Sequence, residues 1–177
     1  MIIFLNSYRL CIIKREVIGG DGMKSLLIAA GTGANNIIVN IGDEYEDRVD
    51  YILIDELESD VWKIEFSAER IFDIVVTRQP VILLATLGGK TGNRSVERLT
   101  KLFKSFEILF SAILIIPFKF EWDSRNVALS IADRIKGESV SVHVFDNETL
   151  TSLDLTVKEA IRYADREIGC LLDEILK

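Results

Sequence analysis

The chain has 177 residues, 49% of them hydrophobic and only two of them proline, which is enough to bury one sizeable core and short for two. Its 21 Lys and Arg against 28 Asp and Glu give a formal net charge of −7. No basic excess is left to neutralise a phosphate polymer, so nucleic acid is excluded as the expected partner. Cys11 and Cys170 lie far apart with no metal-ligand or CxxC spacing, the usage expected of buried thiols in a reducing compartment.

In chain order, the apolar start Met1 to Leu5 breaks at Asn6, Ser7, Tyr8 and Arg9, too soon for a signal peptide. No later run reaches the roughly 20 apolar residues of a membrane span, and a cytoplasmic protein is expected. Gly19-Gly20-Asp21-Gly22 reads as a flexible joint, dividing an N-terminal extension, 1–22, from a main domain, 23–177. From Lys24 onward, short continuous apolar runs alternate with stretches of helical period. That pattern predicts an α/β domain: a three-layer, mostly parallel Rossmann-like sheet with helices on both faces. Strands are expected near 24–30, 50–54, 81–86, 110–117 and 139–145, all buried on both sides, with 61–66 a further candidate. Helices fit near 34–42, 67–77, 94–107, 123–136 and 155–176.

Such sheets bind ligands beyond the carboxyl ends of their strands. The first loop there, Gly31-Thr32-Gly33-Ala34-Asn35-Asn36, permits a tight turn and a close backbone approach to a phosphate at the next helix N-terminus. It lacks the third glycine of GxGxxG, although Asp55 occupies a place suited to a ribose-binding acid. The second loop, Leu87-Gly88-Gly89-Lys90-Thr91-Gly92-Asn93-Arg94, is the stronger signal: three glycines free the backbone, Thr91 offers a hydroxyl, and Lys90 and Arg94 add positive charge. A Walker A loop is excluded, because Leu84 stands where its first glycine belongs. Two glycine loops at strand ends suit a polyphosphate.

The run Gly88 to Arg94 resembles the GGGTG[ST]G signature of the FtsZ/tubulin family, with Lys90, Asn93 and Arg94 in place of a glycine, a Ser or Thr, and the last glycine. The similarity continues in order through about residues 24–176. Gly31 to Asn36 resembles the family's first glycine loop, and Pro117-Phe-Lys-Phe-Glu121 with Arg125 is similar to the segment whose Glu contacts the ribose and whose Arg reaches the guanine region. Phe145 to Leu150 is similar to IPNDKL, with Asn147 on the matching Asn. The last helix resembles the family's central helix, placing Asp165 where an Asn hydrogen-bonds guanine and Ile161 where an aromatic stacks on the base.

The resemblance implies GTP or GDP as cofactor, with Mg2+ as a candidate companion, held by Gly31, Thr32, Gly33, Asn36, Gly88, Gly89, Lys90, Thr91, Gly92, Asn93, Glu121, Arg125, Asn147 and Asp165. It implies no catalytic or metal-ligating residue of the chain's own. The family completes GTP hydrolysis with an acidic loop after the central helix of a second subunit; the chain stops before that loop, so at most a weak GTPase is expected, acting through a homodimer or an FtsZ-like partner. Two alternatives stay open. One is a degenerate protein that has lost nucleotide and works by protein contacts, favoured by Lys90, Arg94, Asp165 and Ile161. The other is a small NAD-binding Rossmann protein using Gly31, Gly33 and Asp55. Each residue also has an ordinary reading: Glu121 and Arg125 as an i,i+4 ion pair, Asn147 as a turn residue, and His143 as a satisfied core histidine. The acidic groups at 43–47 and 55–60 read as solvated loops.

Overall fold

The computed structural model describes residues 24–54, 75, 78, 80–139 and 141–177, together with the strands at 2–6 and 9–13. The expected joint at 19–22, the helix near 67–77 apart from Val75, the strand candidate 61–66 and Asp55 lie outside the described residues.

Seven strands form one sheet. They are β1 (Ile2–Asn6), β2 (Arg9–Ile13), β3 (Ser25–Ala30), β4 (Val49–Ile54), β5 (Val81–Thr86), β6 (Phe110–Ile116) and β7 (Ser141–Asp146), in the order β2-β1-β4-β3-β5-β6-β7. β1 and β2 pair antiparallel, and β1 joins the main sheet parallel to β4, with Ile3 opposite Ile52. The remaining pairings are parallel. Among the described residues, five α-helices connect or follow the strands, α1 (Thr32–Ile41), α2 (Lys90–Ser105), α3 (Trp122–Ile135), the single turn α4 (Glu148–Thr151) and α5 (Val157–Ile175), and a 3-10 turn, Gly42–Tyr45, follows α1.

The continuous apolar runs are explained by burial on both faces. Alternate residues of each central strand go to opposite layers: Leu26, Ile28, Leu83, Leu114 and their neighbours meet Val96, Leu99 and Phe103 of α2 and Ile131 and Ile135 of α3. Leu27, Ile82, Leu84, Ile113 and Ile115 meet Ile37, Ile38 and Ile41 of α1 and Ile168 and Leu172 of α5. A parallel strand between two helical layers has no water-facing side, so the period of two disappears from the sequence.

Four expectations need correction. β7 is the edge strand; its residues are half-buried or exposed apart from Phe145, because nothing described packs beyond it. His143 is accordingly half-buried at an edge and not in the core. Cys170 is exposed on the outer side of α5, two residues from the buried Ile168 and Leu172 in either direction, which on a helix points it away from them. Finally, α2 starts at Lys90 and not near 94. Gly92 and Asn93 are helical, and the glycine serves close packing instead of breaking the helix.

Candidate functional site

β3 and β5 are neighbours, yet α1, leaving β3, returns to β4 on one side, while α2, leaving β5, returns to β6 on the other. The chain direction thus switches between β3 and β5, and the helices lie on opposite faces of the sheet. At such a switch point the two strand-end loops part and leave a crevice. Both expected glycine loops stand there.

Their glycines are sterically required. Gly31 has φ +93°, and a Cβ on it would come 3.6 Å from Gly92 N and Cα, so the two loops touch. A Cβ on Gly92 would fall 1.8 Å from the carbonyl oxygen of Thr86, and one on Gly33 would fall 2.6 Å from Thr86 Oγ1. Gly88, also at φ +93°, donates its N–H to Asn93 Oδ1 at 2.9 Å, which ties the turn shut. Gly89 differs: a Cβ there would meet nothing within 4 Å. Gly31 and Gly89 are the N-caps of α1 and α2, and neither helix has a side-chain cap or an acid in its first turn. The positive ends of both helix dipoles stand at the crevice with no carboxylate in their first turns. By contrast, α5 begins with a capping box between Thr156 and Glu159, the Ser/Thr-x-x-Glu signal that the sequence itself carries.

Beside the glycine loops lies a cavity of about 470 Å³, a size suited to a small-molecule ligand. Gly33, Asn36, Ile37 and Asn40 of α1 form one wall, Ala160, Ile161, Ala164 and Asp165 of α5 another, and Phe118, Asn147 and Leu150 the rim above β6 and β7. Asn40 Nδ2 donates to Asp165 Oδ2 at 2.9 Å across 125 positions of sequence. Burial pushes the Asp165 carboxyl above the ordinary carboxylate range, and the Asn40 bond partly opposes that.

The structure therefore gathers Gly33, Asn36, Asn147 and Asp165 around one cavity, with Gly31, Thr32 and residues 88–93 in or beside the adjoining glycine loops. Glu121 and Arg125 are arranged differently. Arg125 makes a two-pronged ion pair with Asp146, at 2.7 and 2.6 Å, and donates to Pro117 O. The Arg125 hydrogen bonds hold the Asp146 carboxyl below its ordinary range. Glu121 N-caps α3 and accepts from Phe118 N at 3.3 Å, so the two residues do not form the i,i+4 pair. Neither lines the cavity. Sequence reasoning missed Asn40, Thr86, Phe118 and the apolar residues of the lining other than Ile161. Thr86 Oγ1 is buried without a hydrogen-bond partner, pressed beside Gly33.

No protein-family model matches the chain. Over 101 residues it is 30% identical to the cell division protein FtsZ of Aquifex aeolicus strain VF5, a match covering 55% of this chain and 28% of that protein. The structure superposes on the empty FtsZ dimer of M. jannaschii with a TM-score of 0.69 at 21% identity, over 88% of this chain and 56% of the other. Against the TubZ of Clostridium botulinum phage c-st the TM-score is 0.62 at 14% identity, over 84% and 57%. The chain has an FtsZ/tubulin-like α/β fold. It spans little more than half the length of these solved relatives. Within this FtsZ/tubulin-like domain, the glycine loops and the cavity occupy the carboxyl ends of the parallel strands, as the doubly covered sheet requires.

Proposed function

We propose that this FtsZ/tubulin-like domain binds a guanine nucleotide, GTP or GDP, as a binding or regulatory module. The observation that carries the reading is the meeting of two uncapped, acid-free helix N-termini beside a cavity whose far wall holds a buried carboxylate. Phosphates would take the N–H groups of α1 and α2 and the charge of Lys90, with Thr91 beside them. The open side of Gly89 leaves room for them. The base would enter between α1 and α5, where Asp165 accepts from the N1–H and N2–H₂ donors of guanine. Adenine offers no such pair. Among the described residues no three His, Cys, Asp or Glu gather as a metal site, so Mg2+ would arrive with the phosphates. With no carboxylate in either first turn to activate water, slow turnover by the chain alone is expected, and function would run through a second copy or an FtsZ-like partner.

A second reading has its own support. Arg125 is occupied by Asp146, and Ile161, half exposed, offers no stacking surface. Both suit a domain that has given up nucleotide for protein contacts. Calorimetric titration with GTP, GDP, ATP and NAD+ in magnesium separates the readings. Micromolar heat from GTP and GDP, lost in Asn147→Ala and absent with ATP, supports the guanine site. Equal heat from ATP removes the role of Asp165, heat from NAD+ alone restores the Rossmann alternative, and no heat from any titrant removes the guanine site and leaves the second reading.

A further inference from the structure

The exposed side of α2 does not fit its own helix. Lys90, Arg94 and Lys101 are exposed and lie within about 40° of one another around the axis, in a straight row about 16 Å long at ~1.5 Å per residue. Arg98 flanks the row. The acid on this side, Glu97, is neutralised by Arg134 at 2.6 Å, and Lys104 is balanced by Glu138 at 3.6 Å. Among the described residues the side chains of Lys90, Arg94 and Lys101 make no ion pair. The row begins at the helix N-terminus, where the dipole disfavours cations, and sets Lys90 and Arg94 four residues apart, a spacing at which like charges repel. Both arrangements are unfavourable to α2, and Glu97, which lies in the same stripe three residues after Arg94 and four before Lys101, pairs with Arg134 and with neither of them. Lys101, three turns from the glycine loop, lies beyond the reach of a phosphate bound at Gly89.

We infer that the outer ridge of α2 is a docking surface for an acidic, extended segment of a partner protein. Its charge is complementary to such a segment, and its length matches about five residues of extended chain at ~3.3 Å each. With 21 Lys and Arg against 28 Asp and Glu, the chain has no basic excess beyond this row to neutralise a long polyanion or an anionic membrane, whereas a short acidic segment needs only the row itself. Lys90 is shared with the proposed phosphate site, whereas Lys101 lies outside the glycine loops, so a change at Lys101 tests the row separately from the nucleotide reading.

The test is fluorescence anisotropy with a labelled six-residue Glu/Asp peptide, on the full chain and on Lys101→Glu. The expected result is saturable binding at low salt that weakens steeply with ionic strength, and about five- to tenfold weaker binding by Lys101→Glu with an unchanged melting temperature. An unchanged response to GTP in that variant separates this surface from the glycine-loop site. No saturable binding, or binding indifferent to Lys101→Glu, overturns the proposal. So does equal or tighter binding of a single-stranded DNA of the same charge or of phosphatidylserine vesicles. Self-association of the chain that the peptide fails to disrupt and Lys101→Glu abolishes assigns the ridge to a second copy and likewise overturns it.

Discussion

Gly89→Asp separates the stability of the fold from ligand binding more cleanly than any other substitution the structure suggests. Gly89 is the N-cap of α2 with φ −88° and ψ 159°, a conformation open to any residue and typical of capping Asp. Space is free, since an added Cβ has no neighbour within 4 Å. The new carboxylate caps a helix that has no side-chain cap and faces the positive end of its dipole, while replacing glycine lowers the entropy of the unfolded chain. Together these raise stability by about 1 kcal/mol, or roughly 2–4 °C in melting temperature for a chain of this length. The same carboxylate stands where the phosphates are proposed to bind. Two like charges about 4 Å apart at the effective dielectric of a protein surface repel by roughly 4 kcal/mol, about a thousandfold in Kd. Differential scanning calorimetry with and without GTP reads both effects. In the wild type, nucleotide at a hundred times its Kd adds about 2.7 kcal/mol; in Gly89→Asp that increment disappears while the ligand-free transition moves up. A variant that melts lower than wild type refutes the geometry of α2, and one that keeps the GTP increment refutes the placement of the phosphates.

Gly92→Ala should act oppositely: a methyl 1.8 Å from Thr86 O forces α2 off the end of β5, costing about 3 kcal/mol and lowering the melting temperature by roughly 6–12 °C even without ligand. Asp165 binds its proton more tightly in the folded than in the unfolded chain, so it lowers stability as pH rises from the unfolded carboxylate range through its raised folded value. Asp165→Asn, which keeps an acceptor for Asn40, therefore melts higher than wild type at pH 7 and equally at pH 3, as followed by circular dichroism. Asp146 has the opposite sign. Its lowered folded pKa contributes stability above the unfolded carboxylate range that is lost as pH falls through the folded value. Asp146→Ala removes the two-pronged partner of Arg125 and lowers stability at pH 7 in urea unfolding, whereas adding Arg125→Ala recovers part of the loss in a double-mutant cycle.

The layers of the fold were legible because parallel strands under two helical layers read as unbroken apolar runs, as Val81 to Ala85 and Ala112 to Ile116 do. Position along the chain does not encode order across the sheet. The edge place of β7, and with it the exposure around His143, became visible only in the strand order. The glycine loops were legible as tight turns at strand ends, but the start of α2 was not, because glycine inside a helix looks like a loop residue until the 1.8 Å approach to Thr86 explains it. The far wall of the cavity was legible only in part. Asp165 was reached through a resemblance, whereas its partner Asn40 is 125 residues away and carries no motif.

The same limit governs Arg125. Its spacing from Glu121 is that of a helical pair, yet the guanidinium goes to Asp146 on the next strand, where a two-pronged geometry outcompetes a single exposed contact at a helix start. The three departures in the second glycine loop have separate physical outcomes. Asn93 holds Gly88 N–H and so keeps the turn closed, which a Ser at that position would be less able to span. Lys90 and Arg94 leave the loop backbone alone and stand outward on α2. The substitutions thus preserve the closed turn and the open face at Gly89 while moving positive charge to the surface. An N-cap side chain at 89 fits without strain and would stabilise α2, so the packing of the fold gives no reason for a glycine there, in contrast to Gly92 and Gly33.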